Sequence, residues 1–78
     1  MEFSVNQSMD LRGVKCPFNY VRTKIKLSEM KLGDILEIFI DDGEPIRNVP
    51  KSLEQDGHEI ILVEKVNDSF RVVIRKKV

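Results

Sequence analysis

The chain has 78 residues, 41% hydrophobic and 33% charged, with 13 basic residues balancing 13 acidic ones. That length supports one small domain, expected over residues 1–78, and the neutral balance argues against bulk electrostatic binding of nucleic acid or an anionic membrane. A single cysteine excludes an internal disulfide, and with one histidine, His58, it makes no zinc site, so neither metal nor cofactor is expected.

Residues 3–11 place Phe3, Val5, Met9 and Leu11 on odd positions, interrupted at Gln7, which is the period of a strand. Gly13 then supplies a turn. Pro17 suits the first position of a helix, where its missing N–H costs nothing. Phe18, Val21 and Ile25, then Met30 or Leu32, follow helical spacing, so a helix is expected over about 17–30 with that stripe facing the core. Lys31-Leu32-Gly33-Asp34 reads as its stop. Residues 35–40, Ile-Leu-Glu-Ile-Phe-Ile, form a strand apolar on both faces, hence central in its sheet. Pro45 opens a second helix with Ile46, Val49 and Leu53 as its stripe, and Pro50 is expected to kink or restart it. Asp56-Gly57 closes that segment. His58 to Val66 is a third strand, Asn67-Asp68 a tight turn, and Ser69 to Arg75 a fourth strand. Ile60, Leu62, Val66, Phe70, Val72 and Ile74 read as one alternating set. The order is β-α-β-α-β-β. It predicts an α/β (α+β) two-layer sandwich, with two helices on one face of a four-stranded mixed sheet.

The chemistry of the chain concentrates at Asp10-Leu11-Arg12-Gly13-Val14-Lys15-Cys16-Pro17. A lone cysteine is ordinarily a small buried hydrophobe. Cys16, however, lies between Lys15 and Pro17 at a predicted turn, not inside an apolar run. A thiol before a helix meets free backbone N–H groups and their partial positive charge, and Arg12 and Lys15 add to it. Those surroundings favour the thiolate, which is the nucleophilic form. On the flanks alone, an inert and a reactive thiol stand level.

The same residues resemble the signature of the TusA/SirA-like sulfur-carrier family, in which a Gly, two residues and Cys-Pro-x-Pro lead into an amphipathic helix. The resemblance extends over nearly the whole chain, through Lys31-Leu32-Gly33-Asp34, Asp41-Asp42, Arg47-Asn48-Val49-Pro50 and Gly57-His58. It implies a fold like the C-terminal domain of translation initiation factor three. It also implies a function: Cys16 takes sulfur as a persulfide from a cysteine desulfurase or rhodanese-like donor protein and passes it to an acceptor protein. Such relays serve tRNA thiolation, molybdenum-cofactor and sulfur-oxidation pathways. Within that scheme Cys16 alone carries the chemistry. Pro17 shapes the helix start, Gly13 the turn and Asp10 the strand end, with Arg12 and Lys15 in support. Asn19 replaces the second proline of the motif, a change that an Asn side chain bonded to local backbone accommodates. Asn48 replaces the aspartate of an Arg-Asp-x-Pro element.

The remaining candidates have plainer readings. Lys24 and Lys26 are expected on a solvated helix face, His58 on the surface, Asp41 and Asp42 at a strand end and helix cap, Phe18 in the core and Tyr20 at its rim. No apolar run approaches the roughly twenty residues that span a bilayer, and no signal peptide is evident. A cytoplasmic monomer that binds neither membrane nor nucleic acid directly is therefore expected. The alternative reading is a non-catalytic regulatory protein- or RNA-binding module of the same fold. Loss of function in a folded Cys16→Ser variant separates the two.

Overall fold

A computed structural model of the protein describes residues 4–78. Its elements are β1 (Gln7–Asp10), α1 (Phe18–Ser28), β2 (Ile35–Asp41), α2 (Glu44–Gln55), β3 (Glu59–Val66) and β4 (Ser69–Arg75). The β-α-β-α-β-β order is as expected. The four strands form one mixed sheet in the order β1-β2-β4-β3, with β1 parallel to β2 and the other pairs antiparallel. The doubly apolar segment at residues 35–41 is indeed central. The first strand is shorter than expected: Val5 precedes it, Leu11 follows it, and Phe3 lies outside the described residues.

One face of the sheet carries both helices. Leu36, Ile38 and Ile40 of β2 stand opposite Ile74, Val72 and Phe70 of β4, and they pack with Leu11, Leu27, Met30, Val49 and Leu53. Helix α1 packs on α2 and β2, and α2 on β2 and β3. The stripe expected on α2 holds, with Val49 and Leu53 buried and Ile46 partly so. Pro50 does not break α2, which runs unbroken to Gln55. Val49 and Leu53 anchor it on either side of the proline, and tertiary burial outweighs the one lost backbone bond.

The phase of α1 differs from the expectation. Phe18, Val21 and Ile25 are 61%, 43% and 55% exposed, while Asn19 and Thr23 are fully buried and Leu27 nearly so. Two polar side chains can take the inward face because their hydrogen bonds are met locally. Asn19 Oδ1 accepts the Tyr20 N–H at 2.7 Å, its Nδ2 donates to Val14 O at 3.4 Å, and Thr23 Oγ1 donates to Asn19 O at 2.8 Å. Among the described residues no buried side-chain polar atom lacks a partner. Phe18, expected in the core, is exposed, whereas Tyr20 lies at the rim as expected, partly buried against the core with its hydroxyl donating to Asp56.

The last hairpin also departs from a single alternating set. A bulge between Ile60 and Leu62 puts Ile60 opposite Ile74, on the helix side, and Leu62 opposite Val73, on the other face. That other face carries a polar chain across all four strands: Ser8 Oγ donates to Glu37 at 2.8 Å, Arg71 donates to Glu37, and Arg71 also donates to Glu64 at 3.0 Å. Arg75 meets Glu59 at 3.0 Å beside it. Burial alone would push the Glu37 carboxyl up, but Arg71 and Ser8 outweigh it and hold the group below its ordinary value. No helix among the described residues is long and apolar enough to cross a membrane.

The phase of α1 predicts opposite outcomes for adjacent apolar residues. Leu27→Ala should cost about 2–5 kcal/mol in chemical denaturation, whereas Ile25→Ser should stay within about 0.5 kcal/mol of the parent. A second outcome concerns pH. Glu37 has a folded-state pKa below the 4.5 of the unfolded chain, so its contribution is complete above 4.5 and is lost as pH falls through the lower folded value. Glu37→Gln should lower stability by about 1–3 kcal/mol at neutral pH. It should also flatten the fall in urea midpoint on the acid side, which isolates Glu37 from the other carboxylates.

Candidate functional site

Cys16 lies in the connection between β1 and α1, half-buried, with its thiol free. Both ends of that connection are tied down. Asp10 ends β1 and accepts a fork from Arg12 at 2.8 and 2.7 Å, together with the Arg12 backbone N–H at 3.1 Å. Those bonds hold the Asp10 carboxyl down to about 2. Gly13 turns the chain at φ 82°, a conformation that favours glycine, and its N–H donates to the Asp41 carboxylate at 2.7 Å. Asp41 is the last residue of β2, so the turn carrying the thiol is fastened to the central strand. Leu11, 3% exposed, and the bond from Asn19 Nδ2 to Val14 O anchor the same segment from the core.

Pro17 stands at the N-cap of α1, one position before its expected place, and the Cys16–Pro17 peptide bond is cis. The N–H groups expected to face the thiol already have acceptors. Those of Phe18 and Asn19 donate to Lys15 O at 2.8 and 3.2 Å, that of Tyr20 to the Asn19 side chain, and that of Val21 to Pro17 O at 2.9 Å. Arg12 is likewise committed to Asp10. Of the expected positive surroundings only Lys15 remains, exposed and without an ion pair among the described residues.

Sequence reasoning missed the carboxylates. Cys16, Gly13, Val14 and Lys15 line a shallow cavity of about 330 Å3 together with Asp41, Asp42, Glu44 and Pro45. Asp41 and Asp42 cap no helix. Asp41 serves Gly13, Asp42 accepts the Gly43 N–H at 2.7 Å, and α2 has no side-chain cap. The parallel pairing of β1 with β2 brings both strand ends, and the loops after them, to the same edge of the sheet. The Asp-Asp-Gly-Glu run was visible in the chain, but its place beside Cys16 depends on that pairing. Among the described residues no group of His, Cys, Asp and Glu is arranged to hold a metal ion.

His58 lies at the surface as expected, partly covered, and belongs to another part of the molecule with Asp56, Lys24 and Lys76. Lys24 pairs with Asp56 at 3.4 Å and Lys26 with Glu29 at 3.7 Å, so neither is a bare solvated cation. The apolar residues Phe18, Val21 and Ile25 run outward along α1 from the thiol, with a groove of about 250 Å3 beside them lined by Met9, Arg22, Ile25, Lys26 and Glu29.

The three carboxylates predict discrimination by charge at the thiol. In an Asp42→Asn/Glu44→Gln variant, alkylation by anionic iodoacetate should speed up by about 2–5-fold relative to neutral iodoacetamide at low ionic strength. High salt should shrink the difference. An unchanged ratio would mean that Cys16 does not sense these groups.

The family model for sulfurtransferase TusA matches residues 7–76. An Archaeoglobus fulgidus protein named "Putative sulfur carrier protein" is 46% identical over 77 residues, covering 97% of this chain and 88% of its own. A Thermotoga maritima protein of the same name is 35% identical, covering 97% and 98%. The crystal structure of a SirA-like protein from Desulfitobacterium hafniense superposes with a TM-score of 0.78 at 26% identity, covering 92% of this chain and 99% of that one. A fold of two helices on a four-stranded mixed sheet, with the Gly-x-x-Cys-Pro turn at the head of the first helix and a family model matched from the first strand to the end of the last, places this chain in the TusA sulfurtransferase family.

Proposed function

We propose that this protein is a sulfur carrier that takes up sulfur on Cys16 as a persulfide and relays it between two proteins. The single observation that carries the reading is the half-buried thiol at the head of an outward apolar stripe, Phe18, Val21 and Ile25. Apolar side chains of that size gain about 1.5–3 kcal/mol each on full burial, and α1 leaves this gain unrealised in the free protein. A partner that covers the stripe gains it and closes over Cys16 at the same time.

The chemistry needs no deep pocket. The Cys16 thiolate attacks the terminal sulfur of a donor cysteine persulfide. The donor S–S bond breaks, the donor cysteine leaves as thiolate, and a Cys16 persulfide remains. In the second step a nucleophile on the acceptor attacks that terminal sulfur and Cys16 leaves as thiolate. Sulfane sulfur and its oxidation level move together, so neither step needs an external oxidant or reductant. The donor is a cysteine desulfurase or a rhodanese-like protein.

The surface charges describe the partner. Arg22 and Lys26, the latter paired with Glu29, border the stripe, while Asp42 and Glu44 border the thiol cavity. A docked protein therefore matches with carboxylates along α1 and a cation against the cavity. That cation would also offset the carboxylates around a persulfide anion, so the thiol becomes fully reactive inside the complex. Asp10, Arg12, Gly13 and Asp41 act as positioning residues that hold the turn, and Lys15 contributes positive charge at its rim.

Incubation with a cysteine desulfurase and cysteine should add the mass of one sulfur atom to the protein, removable by reductant, and Cys16→Ser should gain none. Val21→Asp should slow loading by about tenfold or more, equivalent to about 1.4 kcal/mol of docking, with the fold unchanged by circular dichroism. Sulfur uptake by Cys16→Ser, or no uptake by the parent from either a desulfurase or a rhodanese with thiosulfate, would overturn the reading and leave a regulatory module.

A further inference from the structure

A second cavity, of about 330 Å3, lies at the C-terminal end of α1 and shares no lining residue with the one around Cys16. Lys24, Leu27 and Ser28 of α1 form one wall; His58, after α2, and Lys76 and Val78, after β4, form the other. Its ionisable side chains are all basic. They reach one place from three separated stretches of sequence, which chain-neighbour spacing does not require.

Each basic group is held in place by a bond that leaves donors free. Lys24 Nζ sits 3.4 Å from Asp56 and 5.7 Å from the centroid of the Tyr20 ring. Asp56 is itself fixed by the Tyr20 hydroxyl. Lys76 Nζ donates to Met30 O at 2.7 Å, which uses one of its three N–H donors. His58 Nδ1 accepts the Lys77 N–H at 3.4 Å, so in the neutral ring the proton resides on Nε2 as a donor. Two ammonium groups and an imidazole N–H around a cavity whose lining side chains include no carboxylate present the charge and the donors that an oxyanion takes.

We propose that this cavity binds a dianionic phosphate or sulfate group, independently of sulfur transfer at Cys16. Lys24 and Lys76 supply two positive charges, of which Asp56 offsets part of one. His58 supplies a neutral donor at alkaline pH and a third cation on the acid side. Burial lowers the His58 pKa; Asp56 at the end of α2 opposes that, and Lys24 on α1 and Lys76 after β4 reinforce it. A bound dianion favours the imidazolium, so the affinity for sulfate, which stays dianionic throughout, rises as pH falls through the His58 titration.

The test follows the His58 ring and the amides of Ser28, His58 and Lys77 by NMR during titration with sulfate, inorganic phosphate or glycerol phosphate, against chloride at matched ionic strength. Saturation on the order of millimolar is expected, tighter on the acid side for sulfate, whose charge is constant there. Saturation by any of these probes supports the site, and the tightest one tells whether a free anion or a monoester is preferred. Lys24→Gln and Lys76→Gln should each weaken binding by about fivefold or more, and His58→Gln should remove the pH dependence of sulfate binding. Lys76→Arg, which keeps the charge, should retain binding and guards against a mere loss of the Met30 contact. Cys16→Ser should titrate like the parent, which keeps this result distinct from the sulfur-carrier reading. Equal shifts with chloride, a response that grows linearly with salt, or unchanged affinity in both glutamine variants would overturn the proposal.

Discussion

The inward turn of Asn19 organises this molecule. Its side chain is fully buried, takes the N–H of Tyr20, and reaches back to the carbonyl of Val14 in the segment that carries Cys16. An unsatisfied amide at that depth would cost on the order of 1–3 kcal/mol, so the bonds and the burial require each other. Once Asn19 points inward, helical periodicity sends Thr23, Leu27 and Met30 toward the sheet and Phe18, Val21 and Ile25 toward solvent. The core contact of the helix, the anchoring of the thiol turn and the outward apolar stripe thus follow from one choice of phase.

The sheet supplies the rigid counterpart. Strands β2 and β4 pair along their whole length, Ile35 with Arg75 through Asp41 with Ser69, and carry the fully buried Leu36, Ile38, Ile40, Val72 and Ile74. The parallel partner β1 then delivers the thiol turn to the C-terminal edge of β2, where Asp41 holds Gly13. On the face without helices, the Ser8–Glu37–Arg71–Glu64 chain links all four strands. That face is stabilised by charge pairing on partly buried groups, which makes it sensitive to acid where the apolar face is not.

The site therefore differs in character from a thiol activated by its own helix. The leading N–H groups of α1 are occupied, Arg12 belongs to Asp10, and carboxylates outnumber the single lysine around the cavity. A carrier has reason to be built this way. A thiol that reaches full reactivity only against a partner's cation is shielded from small anionic electrophiles in the free state. On the proposed reading, the acidic rim and the basic margin of α1 also serve to orient the partner before contact.

The order of elements, the central position of residues 35–41, the tight turn at Asn67-Asp68 and the stripe of α2 were legible in the chain, because each rests on local periodicity and turn chemistry. The Gly-x-x-Cys-Pro turn was legible for the same reason. The inward face of α1 was not. A hydrophobicity pattern ranks Phe18, Val21 and Ile25 above Asn19 and Thr23, and it cannot register hydrogen bonds that exist only after the turn before the helix has closed. Pro50 inside a continuous helix, and the bulge that moves Leu62 to the opposite face from Ile60, likewise reflect packing that outweighs local preference. The carboxylates beside Cys16 and the basic groups at the far end of α1 come together from positions well apart in the chain. Local rules act over a few residues, so they determine which elements form; the pairing of β1 with β2 and the seating of α1 act across the whole fold, and they alone decide which side chains meet.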